Sequence, residues 1–299
     1  MADRRALPRV KLFAIVGMHR SGTSTVARIL NLLGASLGPE ADLMPAKPDN
    51  PRGFWESLTV TQLHDDLLYE LGGRWDRPPL LEHGWELRAS LGPSIERIRA
   101  IVGSHFAASS VAAWKDPRGS LLLPLWRRVV PIAGTILCLR EPDEVAHSLA
   151  TRESMGAERA AALWLRYLVA AWQNCDEPLI VRFDEPYEQP RELMRRLSAF
   201  AGLPPATEDI LQKVTAFVDP SLRHYASAKE PPGPLMRLAR AAHVLLATQP
   251  PEVVHPIFSA LSNGWRLEAH LATETAARTA LRAELLPSVL EILKASPRE

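Results

Sequence analysis

"LFAIVGMHRSGTSTVARILNLLG" occupies residues 12–34, and its reading decides the fold. Leu12 to Val16 is a short apolar run of the kind that forms a buried strand. Beyond the second glycine, Val26, Ile29, Leu30 and Leu33 recur at helical spacing until Gly34 supplies a stop. A strand thus enters a glycine-bearing loop that opens directly into a helix. Gly17 and Gly22 allow a tight turn in which successive backbone N–H groups converge at the helix N-terminus, where an anion is the natural occupant.

The same pattern extends along the chain. The segments 110–114 ("SVAAW"), 134–140 ("GTILCLR") and 178–183 ("PLIVRF") read as further strands. Residues 58–73 ("LTVTQLHDDLLYELGG"), "PDEVAHSLATR", "AERAAALWLRYLVAAW" and "QPRELMRRLSAFAGL" read as helices, with Ser57 available as a cap and Pro190 suited to a first turn. Strands alternating with helices predict an α/β fold, a central parallel sheet flanked by helices. Three prolines and a glycine in "AKEPPGP" (228–234) interrupt any regular element, and only helical patterns follow. The expected organisation is an α/β domain over 1–228, a Pro-rich boundary at 229–234 and a helical extension over 235–299.

Composition narrows the partners. The 299 residues carry a formal net charge of +1, which gives no global electrostatic reason to expect nucleic acid or an anionic membrane, so any anion site must be local. The apolar run after the basic N-terminus is shorter than a secretory core and leads straight into the glycine loop. No stretch approaches the roughly 20 apolar residues of a membrane span. Cys138 and Cys175 lack metal-ligand spacing, and no metal is expected. A cytoplasmic protein is the expectation.

"GMHRSGTS" nearly matches the Walker A loop, but Thr23 stands where the lysine follows the second glycine, and the cation comes earlier as Arg20. A triphosphate-hydrolysing site needs that lysine on the outer phosphates. The loop resembles the 5′-phosphosulfate-binding loop of sulfotransferases that use 3′-phosphoadenosine 5′-phosphosulfate (PAPS). The resemblance implies a P-loop-containing fold like that of nucleoside triphosphate hydrolases, with PAPS as co-substrate. Arg20 would contact the 5′-phosphate and the transferring sulfuryl group. The backbone at Ser21, Gly22 and Thr23 and the hydroxyls of Thr23 and Ser24 would hold the phosphate. "CLREPDEVAHSLATR" matches the family's second motif, an arginine at a strand end followed by a helix with a serine; Arg140 and Ser148 would then take the ribose 3′-phosphate. Arg223 and His224 would add charge near the adenosine.

Transfer to an acceptor needs a base. Glu56, His64, Asp65 and Asp66 are the candidates in "NPRGFWESLTVTQLHDDLL". The resemblance favours Glu56, flanked by Phe54 and Trp55, whose apolar surface would raise its pKa. His64 is the rival, with a half-buried structural histidine as the plainer reading. In "WKDPR" (114–118), Lys115 fits the family's lysine near the transferring group, while Asp116 departs from the expected hydroxyl residue; a Lys–Asp or Arg–Asp pair bracing the strand end is the alternative. Trp55, Trp75, Trp85, Trp114 and Trp126 offer either stacking on an acceptor or core packing. The chain lacks the Lys-Ser-Gly-Thr-Thr-Trp loop and late Arg-Lys-Gly stretch of the cytosolic small-molecule type, which implies the bacterial, carbohydrate-like branch. The acceptor would be a hydroxyl or amine of a glycan, lipid or small molecule. A P-loop kinase and a non-catalytic nucleotide-binding protein are the alternatives.

Overall fold

A computed structural model describes residues 10–47, 50, 52–218 and 232–270. In chain order these form β1 (Lys11–Gly17), α1 (Thr23–Leu32), α2 (Leu58–Glu70), α3 (Gly92–Ile101), β2 (Val111–Lys115), α4 (Gly119–Val129), β3 (Ile132–Leu139), α5 (Pro142–Glu153), α6 (Ala157–Asn174), β4 (Leu179–Arg182), the single turn α7 (Glu185–Glu188), α8 (Pro190–Ala201), α9 (Glu208–Phe217), α10 (Pro234–Thr248) and α11 (Pro251–His270). The four strands pair in parallel in the order β2-β1-β3-β4. This is the expected α/β architecture, a parallel sheet flanked by helices and followed by C-terminal helices.

The apolar run of β1 is continuous because both faces of the sheet are covered. Leu12, Ala14 and Val16 face a core shared with α4 and α6, while Phe13 and Ile15 face one shared with α1 and α8. The alternation is the period of two that a strand imposes. Ile15 and Val16 are fully buried, and each such side chain contributes about 1.5–3 kcal/mol on leaving water. β1 is central, so its C-terminal end, where the loop begins, lies between the ends of β2 and β3. Ile15 pairs with Lys115 and Gly17 with Cys138, which brings the ends of all three strands to one edge.

Helices α10 and α11 pack on α6, and α10 also on α5, adding Met236, Leu245 and Phe258 to the larger core. Arg223 and His224, and residues 229–231 of the proposed boundary at 229–234, lie outside the described residues. Among the described residues no helix is long and apolar enough to cross a membrane.

Candidate active site

The loop after β1 is built by close backbone approaches. Gly17 has φ +141°, and a Cβ there would lie 2.5 Å from the Cys138 carbonyl oxygen. The buried Ser120 hydroxyl accepts from the Gly17 N–H and donates to the Gly17 carbonyl, both at 3.1 Å. Arg20 sits at φ +69°, a left-handed conformation that costs a non-glycine residue on the order of 1–3 kcal/mol unless its surroundings impose it. Here they do: Arg140 Nη1 donates to the Arg20 carbonyl at 2.9 Å, and Arg20 Nε donates to Ser148 Oγ at 2.8 Å. Gly22 at φ +82° precedes α1, which has no side-chain cap and no acidic residue in its first turn. A Cβ on Gly22 would lie 2.8 Å from Phe183. The Ser21 hydroxyl is buried without a protein partner. An uncapped helix start at the end of a glycine turn offers its first N–H groups to an anion.

Arg140 leaves the end of β3 with its guanidinium 3.7 Å above the Phe183 ring, and its Nε donates to Glu144 on α5 at 2.8 Å. Its carbonyl accepts from Trp164 Nε1 at 3.0 Å. The two strand-to-helix junctions are therefore joined through Arg20, which touches both Arg140 and Ser148.

Glu56 is fixed by its neighbours. Its carbonyl accepts from Met44 N–H at 2.7 Å, and the next residue caps α2, Ser57 Oγ accepting from Val60 N–H at 3.1 Å. Trp55, at φ +55°, turns away from it: the ring lies under Arg28 at 4.2 Å and against Phe217. The Glu56 carboxylate instead forms a buried ion pair with Lys115 Nζ, which also donates to Ser24 Oγ at 3.2 Å. The end of β2, the Glu56 carboxylate and the first turn of α1 thus meet at one ammonium group.

His64, Asp65 and Asp66 do not join this cluster. His64 is fully buried on α2; Trp126 Nε1, which can only donate, donates to His64 Nε2 at 2.7 Å, so Nδ1 carries the proton toward Asp116 Oδ2 at 3.0 Å. Both ring nitrogens are occupied, which is the structural-histidine arrangement. Asp65 pairs with Arg118, and Asp66 with Arg97 at 2.8 Å. Asp116 accepts from the Arg118 N–H and Nε, both at 2.9 Å. Burial alone would raise the Asp116 carboxyl, but Arg118 and His64 outweigh it and hold the group well below the usual carboxylate range. Trp114 stacks on Trp126 with centroids 4.8 Å apart beside His64. Trp75 packs on His19, and Trp85 lies in the core. None of the five tryptophans lines the cleft among the described residues.

These parts enclose a cleft of about 690 Å³. Its walls include Arg20, Gly22, Thr23, Ser24, Arg140 and Ser148 from the two motifs, together with Glu56 and Lys115; Ser21 is not among the wall residues. Arg52 and Arg152 add to Arg20, Lys115 and Arg140, against only Glu56 and Glu144, in a chain that is nearly neutral as a whole. Among the wall residues that motif reading missed, Glu144, His147, Thr151 and Arg152 follow the helical spacing of α5 around Ser148, a signal present in the sequence. Phe183 carried no such signal, because its place depends on the sheet.

His19 also lines the cleft, next to Trp75 at 4.7 Å and edge-on to Tyr167 at 5.3 Å. Its Nε2 is enclosed without a protein partner. Burial first, then the Arg118 charge, lowers its pKa to about 3. The unfolded chain therefore binds a proton that the fold does not, from the ordinary value of 6.5 down to about 3. The associated stability is present above that ordinary value and is lost as pH falls through this window. Denaturant titrations should show a loss between pH 7 and 5 that His19→Gln lacks; an unchanged slope would remove His19 as its source.

A parallel sheet with an anion-ready loop at the carboxyl edge of its strands is the architecture of α/β proteins that bind phosphate-bearing ligands. Within that class the chain belongs to the sulfotransferase family, whose profile matches residues 13–209. Among solved structures it is similar to the sulfotransferase STF9 from Mycobacterium avium (15% identity, TM-score 0.44, covering 70% of this chain and 68% of that one). It is also similar to the sulfotransferase domain of the Synechococcus PCC 7002 olefin synthase (17%, 0.45, 81% and 96%). A third is the sulfotransferase domain from the curacin biosynthetic pathway (16%, 0.40, 70% and 78%). No curated protein matches.

Proposed function

We propose that the chain transfers a sulfuryl group from PAPS to a hydroxyl or amine of a glycan, lipid or small-molecule acceptor. The observation that carries this reading is the joining of two cationic strand ends: Arg20 donates to Ser148, and Arg140 holds the Arg20 carbonyl, in one cleft with an excess of cations. PAPS brings two separate phosphate positions, and these two junctions offer one site for each. The N–H groups at the start of α1, with Thr23 and Ser24, take the 5′-phosphosulfate, and Arg140 with Ser148 takes the 3′-phosphate.

In this reading the acceptor oxygen or nitrogen attacks sulfur as its bond to the 5′-phosphate oxygen breaks, and that oxygen keeps the electron pair. The acceptor proton passes to the Glu56 carboxylate. Lys115, shared between Glu56 and Ser24, and Arg20 offset the charge that gathers on the leaving oxygen. His64 has no free nitrogen for the proton, so Glu56 holds the base role. No metal takes part in these steps.

Calorimetry tests the donor. Adenosine 3′,5′-bisphosphate should bind without Mg²⁺ and far more tightly than ATP, and Arg140→Ala should weaken the bisphosphate much more than adenosine 5′-monophosphate, by roughly tenfold or more for a lost charged contact. Mg²⁺-dependent ATP binding in its place would point to a kinase.

A further inference from the structure

Helix α10 reaches the wall of the cleft without lining it. Arg240 on α10 grips Asp143 in the first turn of α5 with two parallel hydrogen bonds, Nε to Oδ2 at 2.7 Å and Nη2 to Oδ1 at 2.8 Å. One helical turn along α10, His243 Nδ1 lies 3.4 Å from the Glu141 carboxylate, at the residue that precedes α5. The start of α10 is itself held from the other side, where the Glu158 carboxylate of α6 accepts from the Leu235 and Met236 N–H groups, both at 3.0 Å. The grip closes on a short segment of consequence. Glu141 and Asp143 lie within the stretch between Arg140 and Glu144, whose side chains pair at 2.8 Å, and the same helix presents Ser148 to Arg20.

A two-pronged arginine–carboxylate contact fixes direction as well as distance. Anchored there, the start of α5 cannot rotate about its axis without breaking both hydrogen bonds. Rotation would swing Glu144 away from Arg140 and Ser148 away from Arg20 together.

We propose that α10 is a positioning element of the donor site, with Arg240 acting through Asp143 to hold the Arg140–Ser148 junction in register for the 3′-phosphate. This rests on the assignment of that junction to the 3′-phosphate, and it gives the C-terminal helices a part in donor selection. Arg240 is a positioning residue that touches no substrate.

The test compares two ligands on the full chain. Arg240→Ala should raise the Kd of adenosine 3′,5′-bisphosphate by roughly five- to tenfold, within the usual range for coupled sites, and that of adenosine 5′-monophosphate by less than about twofold. Arg240→Lys, which keeps the charge and loses the fork, should fall between; Asp143→Asn should reproduce Arg240→Ala, and the double variant should be no worse than either. Circular dichroism and Tm check that each variant is folded, and Asp143→Asn carries the test if Arg240→Ala is not. Equal weakening of both ligands, or none, overturns the proposal while leaving the 3′-phosphate assignment intact. If the wild-type chain itself shows no preference for the bisphosphate, that assignment fails and the proposal with it.

Discussion

Glu56→Gln is expected to lower kcat for sulfuryl transfer by on the order of 10²–10⁴-fold, the usual contribution of a positioned base, while donor affinity changes by less than about threefold. The amide keeps the size of the carboxylate and can still accept from Lys115 Nζ, but it leaves that buried ammonium unbalanced, so Tm is measured beside the rates. What disappears is the proton acceptor. A thousandfold loss corresponds to about 4 kcal/mol at the transition state. Single-turnover rates with labelled donor, beside calorimetry with adenosine 3′,5′-bisphosphate, separate the two effects. Lys115→Ala should differ in kind, weakening both donor binding and turnover, because its ammonium also reaches Ser24 in the helix that faces the phosphate. Wild-type turnover by Glu56→Gln would leave the Glu56–Lys115 pair a strand-end brace and move the base elsewhere in the cleft.

β1, β2 and the end of β3 could be read from sequence because they are buried on both faces, and an apolar run bounded by turns is the signature of that environment; the edge strand β4 has only Val181 buried. The loop was legible for a different reason: Gly17 and Gly22 are required by positive φ and by close contacts with Cys138 and Phe183. Helix α4 was harder to read. In "GSLLLPLWRRV" Leu121, Leu122, Leu125, Trp126 and Val129 do recur at helical spacing, but Pro124 lies within the helix and burial on nearly every side blurs the pattern. Among the charged residues, the Arg–Asp pair offered for the strand end forms between Arg118 and Asp116, but the other partners were illegible. Sequence placed Lys115 beside Asp116, but successive strand residues point to opposite faces, so Lys115 reaches Glu56 while Asp116 turns inward to His64 and Arg118. Of the two aromatic residues that flank Glu56, Phe54 is buried in the cleft wall, while Trp55 adopts positive φ and packs on Arg28. Side-chain direction at such a residue is set by tertiary packing, which no local pattern encodes.

Asp116→Asn should be the most destabilising conservative change at the strand end, costing about 3–5 kcal/mol as expected for breaking a buried ion pair from one side. Asp116 has no exposed surface and receives hydrogen bonds from His64, the Arg118 backbone and the Arg118 guanidinium. An amide cannot balance the guanidinium charge, and Asp65, 48% exposed, is then left as the anion beside Arg118. A domain of ordinary stability has about 5–15 kcal/mol in all, so the loss is a large share of it. Urea titrations should show a lower midpoint with an unchanged slope. Asp66→Asn is the control, since its pair with Arg97 is nearly half exposed at both ends and should change stability by at most about 1 kcal/mol. The pH dependence gives a second reading with a fixed sign. The folded-state pKa of Asp116 lies below its ordinary 3.8, so its contribution is complete above that value and drains away as pH falls toward the folded one. The wild-type chain should therefore lose stability more steeply below about pH 4, where the Asp116 loss adds to the His19 loss that runs from 6.5 down to about 3, and Asp116→Asn should remove only the added steepness. A variant that unfolds at the wild-type urea midpoint would show that Arg118 is satisfied by Asp65 alone. Lys115, the last residue of β2 and the one before Asp116, would then owe its position to packing rather than to this buried pair.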